Sequence, residues 1–142
     1  MAKGFSLVEV AIVLLIVAVL AAVGLPRVGP FLDRIATDQA AREVTTALAV
    51  ARHGAVMQGM RARLTIAGDS LRIDRLEPVG WIPWKRWLGP ADLAVGIEVS
   101  NPVITFGPTG MGWGVSNTKV VLRRGSQVET ITVSRVGRVK RW

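Results

Sequence analysis

From Phe5 to Leu25 the chain runs for 21 residues with only two distinctly polar side chains, Ser6 and Glu9. A helix of that length, at about 1.5 Å per residue, crosses about 30 Å of hydrocarbon, so the stretch predicts a membrane helix or a secretory signal. The carboxylate is the anomaly. An acid at the centre of a membrane helix costs roughly 3 kcal/mol on insertion scales and marks a functional site with a partner. The partner is not in the rest of the run, because Val10 to Leu25 contains no ionisable residue. An ordinary secretory signal has a basic region before its apolar core and a small-residue cleavage site after it. Ala21-Ala22 would serve as the second, but Lys3 is the only cation ahead of the core, and Ser6 and Glu9 stand where basic residues belong.

Composition narrows the function. With 142 residues, half of them hydrophobic, the chain has room for one domain and an appendage. The absence of cysteine removes disulfide frameworks, cysteine-ligated zinc and cysteine nucleophiles together. One histidine, His53, and no tyrosine leave little material for acid–base chemistry or a histidine-based metal site. No enzyme activity, cofactor or metal site is therefore expected, and no catalytic residue is assigned. The net charge of +8 is unevenly spread: residues 5–58 balance to zero, whereas residues 59–142 carry thirteen basic side chains against six acidic ones. Residues 119–142 alone hold seven basic residues against Glu129, a possible footprint for a polyanion.

Beyond the apolar segment, Gly24, Pro26, Gly29 and Pro30 predict a kink or local melting of the helix. Asp33 or Thr37 would then open a second, amphipathic stretch to residue 58. On it Leu32, Ala36, Ala40, Val44, Leu48, Ala51 and Ala55 recur at steps of three and four. His53 reads as solvent-facing or locally hydrogen-bonded, and Met57 and Met60 as packing. From Arg61 the period changes. Arg61–Ile66 and Leu71–Leu76 flank an Ala67–Ser70 turn, Val95–Val99 and Val103–Phe106 come next, and Lys119–Arg123 and Val128–Ser134 flank Arg124–Gln127. Helix succeeded by a run of strands indicates an α+β architecture: a long N-terminal helix packed on an antiparallel two-sheet β domain. Residues 107–114 are glycine-rich and read as a loop. The segment Trp81-Ile82-Pro83-Trp84-Lys85-Arg86-Trp87 reads as a stiff, proline-flanked loop. Its tryptophans suit packing on their own sheet or against a neighbouring subunit, or, as the lesser alternative, stacking on unpaired bases at roughly 1 to 3 kcal/mol per base.

The residues Gly4-Phe5-Ser6-Leu7-Val8-Glu9 resemble the N-terminal signal of type IV pilins and pseudopilins: a short basic leader ending in Gly, then Phe, with Glu at the fifth position after Gly. The resemblance implies a leader of residues 1–4, cleavage between Gly4 and Phe5 by a prepilin peptidase on the cytoplasmic side, and N-methylation of Phe5. Residues 5–25 would then anchor the chain in the inner membrane and later form the filament core. Residues 26–58 would continue the helix, and residues 59–142 form the β domain in the periplasm or outside. It also supplies the partner for Glu9, the new ammonium group of Phe5 on a neighbouring subunit.

Ala49-Val50-Ala51-Arg52-His53-Gly54-Ala55-Val56 with the strand after it, and Ile104-Thr105-Phe106-Gly107-Pro108-Thr109-Gly110 with the final hairpin, are similar to the GspH/FimT branch of that family. The resemblance implies a minor subunit near the tip of a type II secretion pseudopilus or a type IV pilus, with other major and minor pilins as partners and secreted protein or DNA as cargo. Gly137-Arg138-Val139-Lys140 resembles a Gly-Arg-x-Arg motif through which some members bind DNA, with Lys in the last place and Arg141 directly after. Lysine neutralises a phosphate but lacks the planar fork of arginine. Arg135, Arg138, Lys140 and Arg141 are the candidate DNA-binding residues. The plainer alternative is a glycine turn at the solvated end of the last strand. A non-polymerising single-pass membrane protein is the remaining alternative, distinguished by whether Phe5 becomes the mature N-terminus.

Overall fold

A computed structural model describes residues 4–142; residues 1–3, most of the expected leader, lie outside the described residues. The chain divides into two compact units, Met1–Leu32 and Asp33–Trp142. One helix, α1 (Leu7–Gln58, 52 residues), contributes to both. Its start is set by Ser6, whose hydroxyl accepts the amide hydrogen of Val8 at 3.3 Å and whose carbonyl accepts that of Val10 at 3.2 Å. These are the bonds of an N-cap. In the first unit every described side chain is exposed. Among the described residues α1 is the one helix long and apolar enough to cross a membrane.

The expected melting at Gly24–Pro30 does not occur: α1 is helical throughout, with Pro26 and Pro30 inside it. Each proline withdraws a single amide donor, and the bonds on either side keep the backbone helical. No second helix start is therefore needed. Thr37 returns its hydroxyl to the Asp33 carbonyl at 2.8 Å, and the Asp33 carboxylate accepts a hydrogen bond from Arg124 at 2.8 Å.

The second unit holds the core. Strands β1 (Ala62–Ile66), β2 (Ser70–Glu77), β3 (Gly80–Leu88) and β5 (Val103–Phe106) form one antiparallel sheet in the order β3-β2-β1-β5. Strands β4 (Gly96–Val99), β6 (Thr118–Arg124), β7 (Gln127–Val133) and β8 (Val139–Arg141) form the other, in the order β4-β6-β7-β8. Alternate residues of both sheets join the small-residue face of α1 in one cluster: Leu64, Leu71, Ile73, Ile104 and Phe106 from the first, Val120, Leu122, Ile131 and Val133 from the second. Of the apolar stripe expected on the helix, Ala36 to Ala55 are buried and Leu32 is exposed. Ala41 and Ala47 widen the buried face.

The tryptophan segment is a strand, not a loop. β3 lies at the edge of its sheet, where Pro83 has no ladder bond to forfeit on its open side, and the register against β2 shifts between Ile73 and Asp74. Trp84 and Trp87 pack against the core. Gly54 makes room for the first, since a Cβ there would stand 2.6 Å from the Trp84 ring.

Candidate functional site

Two places hold the residues singled out from the sequence. In the first unit Gly4 and Phe5 precede the helix and are exposed, and Glu9 lies in its first turn, also exposed, with no ion-pair partner among the described residues. Ser6 and Glu9 also form the sequence pattern of a capping box, a local signal that the reading of Glu9 as a membrane anomaly leaves unused. An acid in the first turn of a helix gains about 0.3 to 1 kcal/mol from the aligned peptide dipoles. That local role needs no second subunit.

The second place is the turn from β7 to β8. Ser134 and Arg138 close it by a 3.0 Å backbone bond, with the Gly137 amide bonded to the Ser134 carbonyl at 2.9 Å. Gly137 adopts φ +74°, and a Cβ on it would stand 2.6 Å from the Gly110 carbonyl oxygen. Glycine at this position is thus required by the fold, independently of any ligand. Arg52, on α1, donates from Nε to the Gly110 carbonyl at 2.9 Å and from Nη1 to the Gly137 carbonyl at 3.2 Å. One guanidinium fork thereby fixes the β7–β8 turn and the loop after β5 to the helix. Its partners lie 58 and 85 residues away in the chain, so no local pattern points to it.

Of the four candidate DNA-binding residues, the structure brings Arg135, Arg138 and Lys140 to the surface; none meets a carboxylate among the described residues. The Lys140 ammonium lies 3.3 Å from the centre of the Trp142 ring. Arg141 differs. It is held by Glu129 through two hydrogen bonds, at 2.9 and 3.0 Å, and by Asp38 of α1. Arg141 therefore ties β8 to β7 and to the helix. Its guanidinium holds Asp38, with help from Arg42, below the usual carboxylate range.

The sign of that shift gives a prediction. A carboxylate with a depressed folded-state pKa stabilises fully above the ordinary value, about 3.9, and the contribution is lost as pH falls through the folded value. Amide hydrogens of Val139–Arg141 should lose exchange protection below about pH 4 and stay protected at neutral pH. Asp38→Asn should give the low protection at both. A profile unchanged by the substitution would rule out Asp38 as the anchor.

Outside these two places, Arg61 stacks on Trp113 with its guanidinium carbon 3.6 Å from the ring centre, and Arg63 on Trp81 at 4.3 Å. An open cleft of about 1050 Å³ is lined by His53, Met57, Trp84, Lys85 and Val139, among others. His53 is exposed on it, and among the described residues no three His, Asp or Glu side chains gather in a way that would hold a metal ion.

A long N-terminal helix bearing two antiparallel four-stranded sheets, with an apolar, unburied first unit, is a pilin-like fold. The family model of the type II transport protein GspH matches residues 40–137, and the chain belongs to that family. Its fold is similar to the type IV minor pilin FimU of Pseudomonas aeruginosa: TM-score 0.65 at 20% identity, over 78% of this chain and 91% of that one. It is also similar to the minor pseudopilin EpsH of the Vibrio cholerae type 2 secretion system: TM-score 0.61 at 12% identity, over 75% of this chain and 95% of that one. A search of curated proteins finds no match.

Proposed function

We propose that this chain is a non-catalytic minor subunit of a type II secretion pseudopilus or a type IV pilus, assembled near the filament tip. The observation that carries the reading is the first unit: residues 4–32, helical from Leu7, include no buried residue, and their single acid, Glu9, stands at the exposed start of the helix. Such a surface is stable only in an apolar phase, the inner membrane before assembly and a bundle of neighbouring helices afterwards. In this reading a prepilin peptidase cuts between Gly4 and Phe5 and methylates Phe5. Glu9 then pairs with the Phe5 ammonium of a neighbouring major or minor pilin, and the β domain faces the periplasm or the outside. Intact-mass analysis of the chain extracted from membranes tests it. The expected product begins at Phe5 and is one methyl group heavier than the bare chain. A product that keeps Met1, or that is cut near Ala21-Ala22, would leave a simple anchor or a secretory signal.

A second reading, DNA contact during uptake, is favoured by the three exposed cations Arg135, Arg138 and Lys140 on one hairpin. The alternative cargo is a secreted protein. Binding of labelled double-stranded DNA to residues 29–142 across a salt series separates them. Arg138→Gln with Lys140→Gln should weaken binding and flatten the salt slope by about 1.8, at about 0.9 for each phosphate contact removed. No binding by the unsubstituted fragment at low salt would leave protein cargo as the better account.

A further inference from the structure

We propose that the end of the second unit at which α1 terminates is a docking face for a different subunit of the same filament, one presenting an acidic, apolar surface. The proposal rests on the filament-subunit reading and adds to it a surface and the chemistry of its partner.

The topology gathers four segments at that end. β1 starts four residues after α1 stops, and Ala62 pairs with Arg75 at the end of β2 and with Phe106 at the end of β5. The β2–β3 turn and the loop after β5 therefore lie beside the helix terminus. The β7–β8 turn joins them, because the Gly112 amide donates to the Arg135 carbonyl at 2.7 Å and Arg52 grips both segments. Large apolar side chains stand out from all four: Met57, Val79, Met111, Trp113 and Val136, of which Val79 is 85% exposed and Met57 70%. Such clustering on a folded domain marks an interaction surface.

Three observations select a protein as the occupant. Tryptophan, methionine and arginine are enriched, and acids depleted, as in the cores of protein–protein interfaces; residues 52–61, 77–80, 107–116 and 134–138 contain four arginines against one acid, Glu77, which is already paired with Arg75. Most of the apolar side chains are aliphatic and offer nothing for a base to stack on. The segments are also held in fixed relation, by the Arg52 fork, by the close approach of Gly110 and Gly137, and by the stacking of Arg61 on Trp113. Fixing the helix end, the loop after β5 and the β7–β8 turn in advance lowers the ordering cost of binding a shaped partner; a fluid bilayer has no shape to match.

Charge selects which protein. Arg61, Arg135 and Arg138 meet no carboxylate among the described residues, so the partner supplies acids. A second copy is a poor source. Seven of this chain's ten acids already sit in ion pairs with its own arginines, which leaves Glu9 in the first unit and Glu43 and Asp92 in the second.

The test uses the full chain in the cells that make it, with photoreactive p-benzoyl-phenylalanine placed at Val79 or Val136 and, as a control at the opposite end, at Ser126. Light should yield one adduct from the first two positions and none from Ser126. Mass spectrometry should identify the partner as another chain with a Gly-Phe leader junction, crosslinked through a segment richer in Asp and Glu than in Lys and Arg. Arg61→Glu with Arg135→Glu should lower the yield tenfold or more per chain recovered in sheared filaments, with thermal unfolding confirming a folded domain. An adduct with the chain itself, with phospholipid or with nucleic acid overturns the proposal. So does equal labelling from Ser126, or no adduct from chains present in filaments. Absence of the chain from filaments, with Met1 retained, removes the filament reading and this proposal with it.

Discussion

Glu9→Ala should fold normally, be cut after Gly4, and almost vanish from sheared filaments. Deleting one member of a buried ion pair leaves the other charge uncompensated at roughly 3 to 5 kcal/mol. At about 1.4 kcal/mol per tenfold, that is a loss of roughly a hundred- to several-thousand-fold in incorporation. The size of the effect separates the two roles open to Glu9. A carboxylate that only complements the helix start through Ser6 and the peptide dipoles would lose about 0.3 to 1 kcal/mol, less than tenfold. Quantitative immunoblotting of the sheared fraction, beside the intact mass of the membrane-bound chain, reads both. Near-normal incorporation would reduce Glu9 to a capping residue.

The second large effect is expected at Asp74. This carboxylate is 2% exposed in β2 and is approached by Arg63 at 2.9 Å and by Arg72 at 3.1 Å. The Arg72 contact is ionic only, since the oxygen it faces, Oδ1, has no hydrogen bond. Asp74→Ala removes the common anchor of two arginines, and Arg63, still covered by Trp81, loses its counter-charge in a partly buried place. We expect a loss of about 3 kcal/mol, the lower end for broken buried pairs because both arginines retain some access to water. In a total of about 5 to 15 kcal/mol this is a large fraction. Arg63→Leu with Asp74→Ala should recover much of it, because the charge left behind is then gone as well. Urea unfolding of residues 29–142 measures all three proteins. If the double variant is no more stable than Asp74→Ala, the penalty comes from lost packing and not from the stranded charge.

The features readable from the sequence are periodic or local. The apolar segment, the small-residue face of α1, the hairpins around Gly68-Asp69 and Gly125-Ser126, and the two-sheet α+β architecture all come from repeats of 3.6 or 2 residues and from turn chemistry. β3 is hidden because Pro83 breaks the alternation and the register shift at Ile73/Asp74 changes which residues face inward. The unbroken helix through Pro26 and Pro30 is hidden because single-residue rules weigh the lost donors and not the intact bonds around them. At the candidate sites, Gly4, Phe5 and Glu9 form a contiguous pattern. Arg141 instead looks like one more cation in a basic tail, since Asp38, which holds it, lies 103 residues earlier.

Those long reaches have a kinetic consequence. The β1–β2, β2–β3, β6–β7 and β7–β8 pairings join neighbours in sequence, so they close short loops and can form early. The polar ties from α1 to the sheets, Asp33 with Arg124, Asp38 with Arg141 and Arg52 with Gly110 and Gly137, close loops of 58 to 103 residues. We expect contacts of that order to form after the folding barrier and to be the first released on the way back. Substitutions among them would therefore hasten unfolding while leaving the folding rate nearly untouched, so that these few charges set how long a folded subunit lasts once made.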